Sequence, residues 1–230
     1  MLNRGTVHTG ALAVQMMLLL FFLSGGTALA EEPPQIMIRI LARLQARDLP
    51  EESFASQPKV IYRAGTGYGC TEELPDRKLD IQGLMIISEP DVWMINLMTK
   101  SGRHFVDQGP TFDCRMPIFI DADTVKSADD PKNPLYGLEF GQELQYFKRK
   151  GAVSQEGPIL GGKPTKAYVV MAGDWQLILF TNGQPEHPVS VTRDREKTRE
   201  TIWYGAYEEL PFDPSLFKRP EGMEIEEVKQ

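Results

Sequence analysis

Cysteine and histidine are scarce in this chain, with two Cys and three His among 230 residues. Cys70 and Cys114 stand too far apart for a CxxC redox pair. His104 and His187, the histidines beyond the N-terminal segment, show no HxxxH spacing and have no second cysteine pair beside them. That leaves too few ligands for a zinc site. There is no GxSxG elbow and so no recognisable hydrolase nucleophile. No surplus of positive charge exists either. The formal net charge is −7, which suits solubility and argues against nucleic acid and against tight adsorption on anionic lipid.

Two near-motifs fail on inspection. Gly157, four residues, then Gly162-Lys163 approaches a phosphate-binding loop, but Pro164 stands where Ser or Thr must hold magnesium. A Gly-rich hairpin is the expectation there. Asp121, Asp123 and Asp129 suggest a calcium loop, yet the sixth and twelfth positions are Lys126 and Lys132 rather than Gly and Glu. A solvated acidic loop is expected instead. His104 with Asp107 has the makings of an oriented base but lacks a partner nucleophile.

What the chain does have begins at its start. Arg4 precedes an apolar run over 11–23, broken by Ser24-Gly25-Gly26 and followed by Ala28-Leu29-Ala30. This is the pattern of a secretory signal peptide with a small-x-small cleavage site. The run falls short of the roughly 20 apolar residues that span a bilayer. Residues 1–30 are therefore expected to be a leader cleaved after Ala30. Residues 31–230 then form a single exported domain, free in the periplasm. No Cys follows the run until Cys70, so the new N-terminus is not a lipidation site. An oxidising compartment favours a structural disulfide between Cys70 and Cys114, worth roughly 4 kcal/mol if unstrained.

In the exported part, Met37, Ile40, Leu41 and Leu44 recur at helical spacing after Pro33-Pro34. They predict an amphipathic N-terminal helix ending before Pro50. Strands are expected over 59–64, 79–88, 92–99, 104–107, 116–120, 166–171, 175–181, 189–192 and 199–207. A loop is expected over 121–134 and a short helix within 135–150. Ala172-Gly173-Asp174 and Asn182-Gly183 signal turns. Sequential hairpins after one helix predict an antiparallel sheet with helix packed on it. Met37, Met85, Met94, Met98, Met116, Met171 and Met223 suit either ordinary core filling or an adaptable apolar cavity.

Two stretches carry a family resemblance. The first is Gly83-Leu84-Met85-Ile86-Ile87-Ser88-Glu89-Pro90, then Val92-Trp93, then Val106-Asp107-Gln108-Gly109. The second runs from Trp175 to Phe180 through Pro188-Val189-Ser190-Val191 and 202–207 to Pro214-Ser215-Leu216-Phe217 and Pro220-Glu221-Gly222. Together they resemble the LolA/LolB lipoprotein-carrier superfamily. The chain departs from it in having Glu89 where the carriers have Arg, and in its cysteine pair and acidic loop.

The resemblance implies an α+β fold. Its sheet is antiparallel and strongly curved, an unclosed half-barrel, with N-terminal and lid helices over the concave face. It implies an apolar hollow for acyl chains of a lipid or lipoprotein, transfer to the outer membrane, and lipoprotein-sorting proteins of both membranes as partners. It implies no cofactor and no catalysis. The physical rationale is that a sixteen-carbon chain represents roughly 12 kcal/mol against water, at about 0.8 kcal/mol per methylene. Strand alternation nominates the lining. If Asn96, Gln176, Ser190 and Thr192 face outward, then Trp93, Ile95, Leu97, Trp175, Leu177, Leu179, Val189 and Val191 face inward, joined by Val169, Met171 and Trp203. A non-enzymatic envelope sensor or interaction module of the same fold, docking through 121–130, is the alternative. Mass spectrometry of the exported protein should find Glu31 as the first residue; an intact leader would overturn that expectation.

Overall fold

The computed structural model describes residues 33–107, 115–119 and 132–228. The leader expected at 1–30, the acidic stretch 121–130 and Cys114 lie outside the described residues. The first described element corrects the sequence reading. Ile36–Ala46 is a strand, β1, not a helix. Its segment Ile36-Met37-Ile38-Arg39-Ile40-Leu41 places β-branched residues at every second position, which favours an extended chain. The helical spacing is accidental: both faces of the strand are apolar because both are covered. Ile40 is fully buried on one face and Met37 is buried on the other.

Among the described residues, eleven further strands complete a single sheet: β2 (Lys59–Ala64), β3 (Tyr68–Glu73), β4 (Gly83–Ser88), β5 (Asp91–Asn96), β6 (Ser101–Val106), β7 (Gln155–Glu156), β8 (Lys166–Ala172), β9 (Trp175–Asn182), β10 (His187–Arg195), β11 (Thr198–Pro211) and β12 (Glu224–Glu227). The order is β12-β6-β5-β4-β3-β2-β1-β11-β10-β9-β8-β7. Two antiparallel meanders, β1–β6 and β7–β11, are thus joined where β1 pairs with β11. The terminal strand β12 adds parallel to β6. β12 and β7 remain as the two edges, so the sheet is not a closed barrel. All twelve strands belong to one unit, Pro34–Gln230.

The two faces carry separate cores. On one, Ile40, Ile61, Leu177, Leu179, Val191 and Ile202 pack with Met116, Ile118, Phe119, Leu138, Tyr146 and Phe147 from the β6–β7 connection. On the other, Met37, Cys70 and Ile86 pack with Phe217 of the 3-10 turn Pro214–Phe217, and with Phe212 and Leu216. Tyr68, Phe212 and Phe217 form an aromatic cluster with centroids 5.1–5.4 Å apart.

The expected lid helices are not found as such among the described residues. Among the described residues the cover holds one α-helix of seven residues, α1 (Glu143–Arg149). It falls within the 135–150 region where a short helix is expected. The rest of the described cover is irregular chain. Pro117 and Pro134 interrupt it, and Gly137 and Gly141 take positive φ.

The strand expected over 116–120 is not one in its described part: 116–119 is irregular chain with an isolated bridge from Pro117 to Glu139. The turn expectations hold. The turn at Gly173-Asp174 joins β8 to β9. Residues 157–164 form a tight turn in which Leu160 bridges Lys163 across Gly161-Gly162, both at positive φ. Among the described residues Cys70 is a buried free thiol, and burial pushes its pKa up to about 12. Its expected partner Cys114 is among the residues not described.

Leu177 is fully buried between sheet and α1, whereas Met171 on neighbouring β8 is 62% exposed. Leu177→Ala should lower unfolding free energy by about 2–5 kcal/mol. Met171→Ala should stay within about 0.5 kcal/mol. Urea denaturation of both variants checks this.

Candidate ligand-binding groove

Between the first meander and the cover lies a hollow of about 720 Å³. Its floor follows from strand register, since directly paired residues share a face. Ile61 pairs with Thr71, Thr71 with Met85, and Met85 with Met94. All four line the hollow. Ala42, Leu44 and Ile202 form its wall towards β11. Met116, Pro117, Ile118 and Phe140 from the cover form its roof. The hollow is predominantly apolar, and Met94, 55% exposed, marks where it meets solvent.

One end is different. Two residues along the strands from the floor, Lys59 faces Glu73 across β2 and β3, with Nζ 2.5 Å from Oε1. Gln57 and Asn96 lie at the same end. Asn96 is committed to the backbone. Its Oδ1 accepts from the N–H groups of Gln82 and Met98, and its Nδ2 donates to the Asp80 carbonyl at 2.8 Å.

The nominated lining residues scatter. Ile95 borders the hollow, but it alternates with Met94 and pairs with Leu84, which packs in the opposite core. Trp175, Leu177, Leu179 and Val191 do point to the covered face, but they belong to the filled core beneath α1. Trp175 is clamped, with the Arg193 and Arg195 guanidiniums 4.7 and 4.1 Å from its ring centre. Trp93 is on the opposite face, stacked on His104 at 5.1 Å. Met171 and Trp203 are exposed, and Val169 is half-buried on the parity opposite the core. The Trp203 indole donates to Gln45. Val189 is half-buried at a register shift in β10, and Leu97 lies in the turn after β5.

Sequence alternation inverts the parity of β5, because Asn96 reads as a solvent-facing group. In the structure it shares the covered face with Met94 and is satisfied by turn backbone. Alternation also passes over Ile61, Thr71 and the roof. Of the methionines, Met85, Met94 and Met116 line the groove.

Two polar clusters flank the hollow and a third lies on the other face of the sheet. Beyond its far end Arg63 and Glu139, both buried, are joined at 2.7 Å. The same Arg63 donates to the Phe140 carbonyl, and Glu139 also accepts from Arg115 and from the Met116 N–H. This pair fixes the roof to β2. Beside it Glu143 is buried at the start of α1, where its Oε1 accepts from Gly141 N–H and Tyr204 O–H at 2.9 Å each. Burial outweighs these hydrogen bonds and pushes its carboxyl up to about 7. On the opposite face, His104 lies between Asp91 at 2.8 Å and Glu227 at 2.5 Å. Burial disfavours its charged form, but the two carboxylate hydrogen bonds prevail and raise its pKa. Among the described residues no cluster of three or more His, Cys, Asp or Glu is placed to hold a metal, and no helix is long and apolar enough to cross a membrane.

No protein-family model and no curated protein matches this chain. Solved structures do. An uncharacterized conserved protein from Thermus thermophilus is similar at 10% identity and a TM-score of 0.49, over 85% of this chain and 91% of that one. LprF from Mycobacterium bovis is similar at 10% identity and a TM-score of 0.38, over 75% of this chain and 85% of that one. Likenesses at this level say nothing of what the chain binds.

The Glu143 carboxyl gives a pH signature. Its folded pKa lies above its ordinary value, so the folded state holds a proton that the unfolded chain loses between about pH 4.5 and 7. Stability should fall by up to about 3 kcal/mol as pH rises through that window. Glu143→Gln should remove this slope, raising the melting temperature at pH 8 far more than at pH 4.5. Thermal melts across that range check it.

Proposed function

We propose that this protein is a non-catalytic carrier that shelters the acyl chain of a lipid or lipoprotein in the groove between sheet and cover. In this reading it acts in the periplasm, where a free chain meets water, and hands its cargo to the outer membrane. The observation that carries the proposal is the hollow of about 720 Å³, floored by Ile61 and Met85 and roofed by Met116, Ile118 and Phe140. If a methylene takes about the share of a liquid water molecule, roughly 30 Å³, a sixteen-carbon chain fits with space left over. Burying such a chain gains roughly 12 kcal/mol before ordering costs.

A carrier must also release its cargo. Methionine walls suit that demand, because an unbranched thioether adapts to many chains and matches none closely. The non-catalytic part of the proposal is supported by His104. The ring that a hydrolase would need is hydrogen-bonded by carboxylates on both sides and stacked on Trp93.

Delipidated protein should bind a fluorescent fatty acid, and saturating ligand should raise its melting temperature. Met85→Glu places a carboxylate on the groove floor, at a half-buried position open to the hollow. It should abolish binding while leaving urea unfolding nearly unchanged. Undiminished binding by Met85→Glu, or no binding by the parent protein, would remove the proposal.

A further inference from the structure

The floor of the groove is apolar along Ile61, Met85 and Met94, but its end row is ionised. Among the described residues, the charged side chains that line the hollow are Lys59 and Glu73, one cation and one anion, paired with each other. Neither is sealed by protein: the side chains keep 37% and 20% exposure. They stand two residues from the floor row on the same strands, about 7 Å along the sheet. Gly83 makes room for the arrangement. A Cβ there would lie 2.3 Å from Glu73 Oε2, so the carboxylate occupies the space a side chain would fill. Asn96 at this end spends its amide on backbone groups and leaves recognition to the ion pair.

We infer that the groove takes a single-chain amphiphile with a zwitterionic head, its anion on Lys59 and its cation on Glu73, and its chain along Ile61, Met85 and Met94. The inference rests on the acyl-chain reading above and names the ligand class for it. Charge complementarity decides among heads. A purely anionic head would face Glu73, and a purely cationic one would face Lys59. A head bearing both signs opens the internal pair and replaces it with two outward pairs, leaving no partly buried charge uncompensated. A neutral head hydrogen-bonds to either residue through its hydroxyls but compensates neither charge.

The test uses the delipidated exported chain and calorimetric titration with three lipids of one chain length. These are a lysophosphatidylethanolamine (zwitterionic), a lysophosphatidylglycerol (anionic) and a monoacylglycerol (neutral). The zwitterion should bind about tenfold more tightly than the others, as expected for charge-assisted hydrogen bonds in a half-buried site. The double variant Lys59→Met/Glu73→Gln should erase that preference, and each single variant should lower lysophosphatidylethanolamine affinity by about tenfold. Their melting temperatures should barely move, because a part-exposed ion pair contributes little stability. Phosphoethanolamine without a chain should not compete.

Equal affinity for the three lipids, a preference that survives both substitutions, or equal competition by phosphoethanolamine alone would overturn the inference and leave the carrier reading standing. Failure of every chain-bearing lipid to bind would remove both.

Discussion

The roof of the groove is pinned to the sheet by a buried ion pair. Arg63 on β2 holds Glu139, and around that contact gather Arg115, the Met116 N–H and the Phe140 carbonyl. Two charges removed from water are tolerable only when each finds its partner and its remaining hydrogen bonds. Here each does. The arrangement is also specific in a way that apolar packing is not. A greasy cover slides over a greasy sheet at little penalty, whereas a guanidinium and a carboxylate a few ångströms out of register leave two unpaired buried charges. The roof residues Met116, Ile118 and Phe140 are therefore held at a set height above Ile61 and Met85, and the space between them stays open.

The contrast between the two halves of the sheet follows from what covers each. Over β8, β9 and β10, α1 lays Tyr146 and Phe147 directly on Leu177, Leu179 and Val191, and the space is filled. Over β2 to β5 the described roof is irregular chain carrying Met116, Pro117, Ile118 and Phe140, and the described residues leave a hollow of about 720 Å³ beneath it. One continuous sheet thus presents a conventional core and a hollow side by side. The core holds the fold, so the hollow is free to be loosely lined.

Much of the strand framework is legible in the sequence because local chemistry writes it. Gly173-Asp174, Asn182-Gly183 and Gly161-Gly162 mark turns by conformational need, and β8 and β9 follow from the apolar residues between them. β1 is not legible. A strand covered on both faces loses its alternation, and Met37, Ile40, Leu41 and Leu44 then mimic a helical stripe. The site is less legible still. Alternation separates covered from uncovered residues, but it cannot tell a packed interior from an empty one, so Leu177 and Leu179 read like Ile61 and Met85. Asn96 misleads for a related reason: polar side chains are satisfied by turn backbone as readily as by water. Arg63 and Glu139, distant in sequence, carry no local mark of their partnership.

The C-terminal strand has a consequence for how such a molecule behaves among copies of itself. An open sheet offers two rows of unpaired backbone groups, each a template for another chain. At one end β12 lies beside β6 and is fastened there by Arg103 to Glu226 and His104 to Glu227. Its four residues, Glu-Ile-Glu-Glu, form the new rim. At the other end β7 has only two residues. Pairing of two such rims would bring three carboxylates of one copy against three of another, which disfavours that contact.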